Sequence, residues 1–157
     1  GLVHYPKVLF LDEPTTGLDP QTRASVWKYI QKLQKQKNMT IFLTTHYMDE
    51  AEICSKIVIM DHGKIVASDT PENLERQYTS TEAVVVCTQT EQLESVLTQR
   101  GVSYDKTETR MIFCTKNAPM VLEILFCCKE TILDFEVKNG TLNEVFLAIT
   151  GKEIRKV

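Results

Sequence analysis

Between Val8 and Ser68 the chain alternates short apolar runs with amphipathic stretches. Val8-Leu9-Phe10-Leu11 is an uninterrupted apolar run of strand length, the pattern of a strand buried on both faces, as parallel strands are. Asp19-Pro20 reads as an N-cap followed by proline at the first helical position, and Ala24, Trp27, Ile30 and Leu33 recur at helical spacing toward basic Lys35 and Lys37. An amphipathic helix of about four turns follows from that spacing. Thr40 to Thr45 is the next strand, and a strand, helix, strand connection makes the two strands parallel. Tyr47 to Ser55 reads as a second helix with an acidic start. Lys56 to Met60 and Lys64 to Ser68 flank Asp61-His62-Gly63 and form a hairpin, and Thr70-Pro71 caps a short helix through Tyr78.

At Thr79-Ser80-Thr81 the composition turns polar and the pattern restarts, which sets a domain boundary between residues 1–79 and 80–157. The second part predicts strand Ala83 to Thr88, helix Glu91 to Arg100 ended by Gly101, strand Ser103 to Thr107, strand Arg110 to Thr115, helix Ala118 to Cys128 and strand Ile132 to Lys138. That βαββαβ order is the split-βαβ, ferredoxin-like arrangement of an antiparallel sheet with two helices on one face. Asn139-Gly140 turns into a last helix, Leu142 to Ile149, stopped at Gly151. The alternating Val84, Val86, Ile112 and Cys114 are read as core faces, and no catalytic constellation stands out after Glu82.

The 157 residues are 43% apolar and 25% charged, ordinary globular usage. With 18 Lys and Arg against 21 Asp and Glu, the formal net charge of -3 gives no basic field, which argues against a nucleic-acid partner. The apolar runs fall far short of the ~20 residues that span a bilayer, so a membrane role is expected to be peripheral. Five cysteines, at spacings of neither zinc pairs nor a disulfide framework, are expected to be reduced. The vicinal Cys127-Cys128 pair points its thiols about 100° apart if helical. The chain opens at Gly1-Leu2-Val3-His4 without an initiator Met or signal sequence, as if cut from something longer. His4 and His62 have no motif around them and read as surface or turn residues.

The chemistry gathers at the first strand. Leu9-Phe10-Leu11-Asp12-Glu13 puts two carboxylates just outside the carboxyl end of a parallel strand, where α/β sheets hold their ligands. Asp12 is placed to hold a magnesium ion through its water shell, and Glu13 to orient or deprotonate water attacking a terminal phosphate. The next strand ends in Thr44-Thr45-His46, so neighbouring strands aim Asp12, Glu13 and His46 at one crevice, where the imidazole can bond a phosphate oxygen.

Read together, these segments resemble the C-terminal part of an ABC-type ATPase nucleotide-binding domain, a partial P-loop NTPase sheet. Leu9-Phe10-Leu11-Asp12-Glu13-Pro14 resembles a Walker B motif with its catalytic glutamate, Thr16-Gly17-Leu18-Asp19 a D-loop, and His46 a switch histidine. The Thr45 to Glu52 run, the second domain and the closing Thr141 to Gly151 are similar to daunorubicin-resistance-type exporter ATPases. The resemblance implies ATP and Mg2+ as cofactors of the intact protein, with Asp12 at the metal, His46 at the nucleotide and Glu13 catalytic. It further implies that Gly17, Leu18 and Asp19 touch a second nucleotide-binding domain in a head-to-tail homodimer. Membrane-spanning permease subunits would be the partners, at the cytoplasmic inner face of the membrane.

No G-x-x-x-x-G-K-[ST] occurs in the chain, and the Gln loop and signature that the family carries upstream are absent too. The remaining site is acidic. At ~5 Å and an effective dielectric near 20, each phosphate charge meets each carboxylate with about 3 kcal/mol of repulsion, opposed by His46 alone. This chain by itself is therefore expected neither to bind nor to hydrolyse ATP measurably, and to be stabilised by self-association, by strand exchange or by the missing N-terminal half. The other reading is a non-catalytic regulatory or dimerisation module with a vestigial Walker B region. Family members that act on ribosomes or DNA do not usually carry such a C-terminal extension.

Overall fold

A strand, a helix and a strand build the first of two units into which the contacts divide the chain, one ending at Glu50 and the other beginning at Ala51. The computed structural model describes residues 6–151 of a mixed α/β protein, so His4 lies outside the described residues. Strand β1 (Val8–Asp12) pairs in parallel with β2 (Thr40–Thr44), and Asp12 stands opposite Thr44 in the register. Helix α1 (Pro20–Lys37) joins them. Asp19 caps it by accepting the backbone N–H groups of Gln21 and Thr22, Pro20 needs no partner for its nitrogen, and Asn38 closes it in the left-handed conformation at φ 49°.

The expectation that β1 is buried on both faces fails. Its residues alternate, with Leu9 and Leu11 turned toward α1 while Val8 and Phe10 are exposed. Two strands cannot cover both of their own faces, and one helix covers only one. Val26, Ile30 and Leu33 of α1 meet Leu9, Leu11 and Ile41 across an apolar cleft of about 190 Å³. The open face carries Phe10 stacked on Phe42.

Helix α2 (Met48–Ala51) is a single turn rather than a helix through Ser55. Ile53, Cys54 and Ser55 are weak helix formers, and the chain leaves the helix in a turn where the Cys54 N–H reaches the Ala51 carbonyl. Strands β3 (Ile57–Asp61) and β4 (Lys64–Asp69) form the expected hairpin, with His62 and Gly63 both at positive φ, as a two-residue turn of matching twist requires. Helix α3 (Pro71–Tyr78) is capped by Thr70.

The rest of the second unit runs β5 (Thr81–Cys87), α4 (Glu91–Gln99), β6 (Tyr104–Lys106), β7 (Arg110–Thr115), α5 (Ala118–Cys127), β8 (Ile132–Lys138) and α6 (Leu142–Thr150). Its four strands lie in the order β6-β7-β5-β8, each antiparallel to its neighbour. Ala83, Val85 and Cys87 of β5 and Met111 and Phe113 of β7 share one core with Leu93 and Leu97 of α4 and with Val121, Ile124 and Leu125 of α5. Thr141 and Glu144 form a capping box at the start of α6, which packs on α3 and stops at Gly151, φ 64°. The polar stretch at Thr79–Thr81 is locked inside this unit. Thr81 Oγ1 donates to Asn139 Oδ1 at 3.2 Å, and a Cβ added to Gly140 would stand 2.1 Å from Thr79 Oγ1.

Candidate functional site

The parallel register decides the site, because it sets the last residues of β1 and β2 side by side. Thr44 Oγ1 donates to Asp12 Oδ1 and accepts the Glu13 N–H at 3.0 Å, while the same N–H reaches the Thr44 carbonyl at 3.1 Å. One hydroxyl thus holds both successive acids. Glu13 sits at φ 41°, a left-handed conformation that costs a non-glycine residue energy and turns the chain off the strand.

Past that turn the Glu13 side chain meets two partners. Thr16 Oγ1 donates to its Oε2 at 3.1 Å, and His46 Nδ1 lies 3.6 Å from its Oε1, an ion-pair separation when the ring is protonated. Tyr47 packs against the imidazole with ring centroids 4.1 Å apart, and the Arg23 guanidinium lies over Tyr47 at 3.8 Å while reaching Asp49 at 3.8 Å. His46 Nε2 is buried and has no hydrogen-bond partner among the described residues. A buried ring nitrogen without a partner is costly unless a ligand atom supplies one.

Of the sequence-predicted residues, Glu13 and His46 are therefore brought together, and Asp12 is held beside Glu13 by Thr44. Gly17, Leu18 and Asp19 occupy the connection into α1, where Gly17 takes φ 81° and the Leu18 N–H reaches the Thr15 carbonyl at 3.1 Å. Hydrogen bonds from the Thr22 hydroxyl, then from the Thr22 and Gln21 amides, hold the Asp19 carboxyl below the usual aspartate range. Among the described residues no cluster of three or more His, Cys, Asp or Glu is spaced to hold a metal.

Sequence reasoning missed a second layer. Glu50 is 1% exposed and accepts from Thr15 Oγ1 on one oxygen and from Thr45 Oγ1, at 2.6 Å, on the other. Burial pushes its carboxyl up, but the Thr15 and Thr45 hydrogen bonds and the charge of Arg23 outweigh it and keep Glu50 below the usual glutamate range. In the sequence Glu50 reads as one acid in a polar helix start. Its threonine partners, five and 35 positions away, leave no local signal.

No helix among the described residues is long and apolar enough to cross a membrane. No family model matches the chain. It is 34% identical over 164 residues to the daunorubicin resistance ATP-binding protein DrrA3 of Streptomyces coeruleorubidus, covering 99% of this chain and 51% of that protein. It is 32% identical over 163 residues to the doxorubicin resistance ATP-binding protein DrrA of Mycobacterium tuberculosis, covering 96% and 49%. A stretch of 77 residues, 49% of this chain and 13% of the other, is 48% identical to the "Probable multidrug ABC transporter ATP-binding protein YbhF" of Escherichia coli K12. The chain spans about half the length of its daunorubicin- and doxorubicin-resistance relatives. Over nearly its whole length the chain is thus similar to ABC transporter ATP-binding proteins of the daunorubicin-resistance type.

Proposed function

We propose that this chain is the carboxylate-bearing half of an ATP-hydrolysing nucleotide-binding domain that drives an export transporter. The observation that carries this reading is the Glu13 carboxylate beside His46 Nδ1, with His46 Nε2 buried and without a partner among the described residues, at the end of a parallel strand pair. A terminal phosphate oxygen fits that orphaned nitrogen, and the outward Asp12 carboxylate fits a hydrated divalent cation.

When bound, Mg2+ would neutralise phosphate charge and orient the leaving oxygens. Asp12 would hold the ion through water, steadied by Thr44. Glu13 would orient the attacking water and take its proton. His46 would donate from Nε2 to the terminal phosphate, its other nitrogen kept facing Glu13. Gly17, Leu18 and Asp19 would touch the second nucleotide-binding domain of a homodimer. Permease subunits would be driven from the cytoplasmic face of the membrane.

Residues 1–79 are assigned to the nucleotide-binding domain, a part of a P-loop NTPase sheet, and 80–157 to a ferredoxin-like accessory domain. The β6-β7-β5-β8 antiparallel order supports the second assignment. The exposed face of β1 and β2 supports a missing N-terminal half that would bring sheet neighbours, the phosphate loop and its lysine. Without that half, carboxylate repulsion keeps ATP away.

Equilibrium titration tests this. The 157-residue chain should show no ATP binding tighter than about 100 μM, while the intact protein binds and hydrolyses it. Tighter binding by the chain alone, or an intact protein without ATPase activity, would overturn the reading. A second reading, a non-catalytic regulatory or dimerisation module, draws on the self-contained core of the second unit. Coding sequence upstream discriminates, since an in-frame phosphate loop favours the engine and a start codon just before Gly1 the module.

A further inference from the structure

Two loops must be held at a fixed separation if Glu13 and His46 are to work on one phosphate. Glu13 leads into the turn of residues 13–18, and His46 sits on the connection between β2 and α2. At the reacting ends Glu13 Oε1 and His46 Nδ1 stand 3.6 Å apart, longer than a hydrogen bond. Behind them lies Glu50. Its Oε1 receives the Thr15 hydroxyl from the first loop, and its Oε2 receives the Thr45 hydroxyl from the second. Thr45 Oγ1 in turn accepts the Tyr47 N–H at 3.0 Å, so the backbone on either side of His46 is tied to the same carboxylate. Thr15 is 1% exposed, as is Glu50, and its carbonyl accepts the Leu18 N–H, which shapes the turn two residues beyond Glu13.

We propose that Glu50 is a positioning residue for hydrolysis, a two-pronged brace that sets the distance between the Glu13 carboxylate and the His46 ring. An ionised carboxylate suits the task because it accepts on both oxygens at once, and in a water-excluded position each charge-assisted bond is short and stiff. The same chain of bonds ties the turn leading to Gly17 and Asp19 to the His46 connection, so a shift in one loop pulls on the other. This inference rests on the ATP-hydrolysing reading above.

The test uses the intact ATP-binding protein. Glu50→Ala takes the acceptor from the buried Thr15 hydroxyl and the half-buried Thr45 hydroxyl and frees both loops, and kcat should fall about 30-fold while the dissociation constant for ATP stays within about threefold. Glu50→Gln keeps one acceptor oxygen and offers an amide to the other threonine, whose hydroxyl can turn to accept, so it should restore kcat to within about fivefold of the native protein. If Glu50→Ala does not fold, Thr15→Val and Thr45→Val decide the matter. Each should lower kcat, and the double variant should fall clearly short of the product of the two effects, because both act through one carboxylate. The inference is overturned if Glu50→Ala keeps kcat within about twofold, if kcat and ATP affinity fall in equal proportion, or if the two threonine variants multiply. Glu13→Gln measured alongside separates the two claims. If it abolishes hydrolysis while Glu50→Ala does not, the brace fails alone; if it too leaves hydrolysis intact, the ATPase reading fails.

Discussion

Phe10 of β1 and Phe42 of β2 stack with ring centroids 5.2 Å apart and 14° between their planes, although they are 75% and 57% exposed. Aromatic rings stacked in water on a two-stranded sheet mark a face that calls for a cover. The 157-residue chain should therefore self-associate through this face. Sedimentation of the native chain should show mass rising with concentration, and Phe10→Ser with Phe42→Ser should shift it toward the monomer at a cost to the strand pair of about 1 kcal/mol. Equal association of the two proteins would contradict the assignment.

Asp19 stabilises α1 in its charged form. Its carboxyl is held below the usual aspartate range, foremost by the Thr22 hydroxyl, so its contribution is fully present above the unfolded pKa and disappears as pH falls through the folded one. At neutral pH Asp19→Ala should lower the melting temperature of the first unit by a few degrees, and Asp19→Asn by less, since it keeps the capping acceptor. Trp27, the single tryptophan and a buried residue of α1, reports the transition. The gap between native protein and Asp19→Ala should narrow as the medium is acidified below the usual aspartate pKa. A gap that widens in acid would refute this account of the cap.

Gly140→Ala should destabilise the second unit by about 2 kcal/mol, because the new methyl group must displace Thr79. Thermal denaturation followed on the second unit reads this. An unaffected Gly140→Ala protein would mean that the Thr79 junction is loose.

All five cysteines are thiols, and their environments differ. Burial pushes the Cys87 and Cys128 thiols up, the second also through Cys127 and Cys87, so both carry little thiolate at neutral pH. Alkylation of the folded chain followed by mass spectrometry should label the exposed Cys114 and Cys127 first and Cys87 and Cys128 last. Equal rates for Cys127 and its neighbour Cys128 would show that α5 does not separate them.

Local signals carried much of the fold. Asp19-Pro20, Thr70-Pro71 and Gly151 each name a helix end through their own backbone chemistry, and the helix ends are found there. The element order of the second unit was likewise legible from alternating and helical periodicities. Burial was not. An apolar run such as Val8 to Leu11 says that a strand wants two covered faces, but it cannot say whether this stretch of chain supplies both. The acids and the histidine could be singled out because their spacing repeats a motif. Thr44, Thr15 and Glu50 could not, since their roles exist only once the Asp12–Thr44 register and the turn after Glu13 are formed. The single-turn α2 was hidden for a similar reason, because an acidic start promises a longer helix than Ile53, Cys54 and Ser55 sustain.

The central claim is that Glu13 acts on water at a triphosphate held beside His46. Nucleotide retained by the intact Glu13→Gln protein after rapid desalting tests it most directly. The account predicts ATP bound and unhydrolysed, with turnover lost by about a thousandfold or more. Bound ADP, with hydrolysis continuing at the native rate, would contradict it.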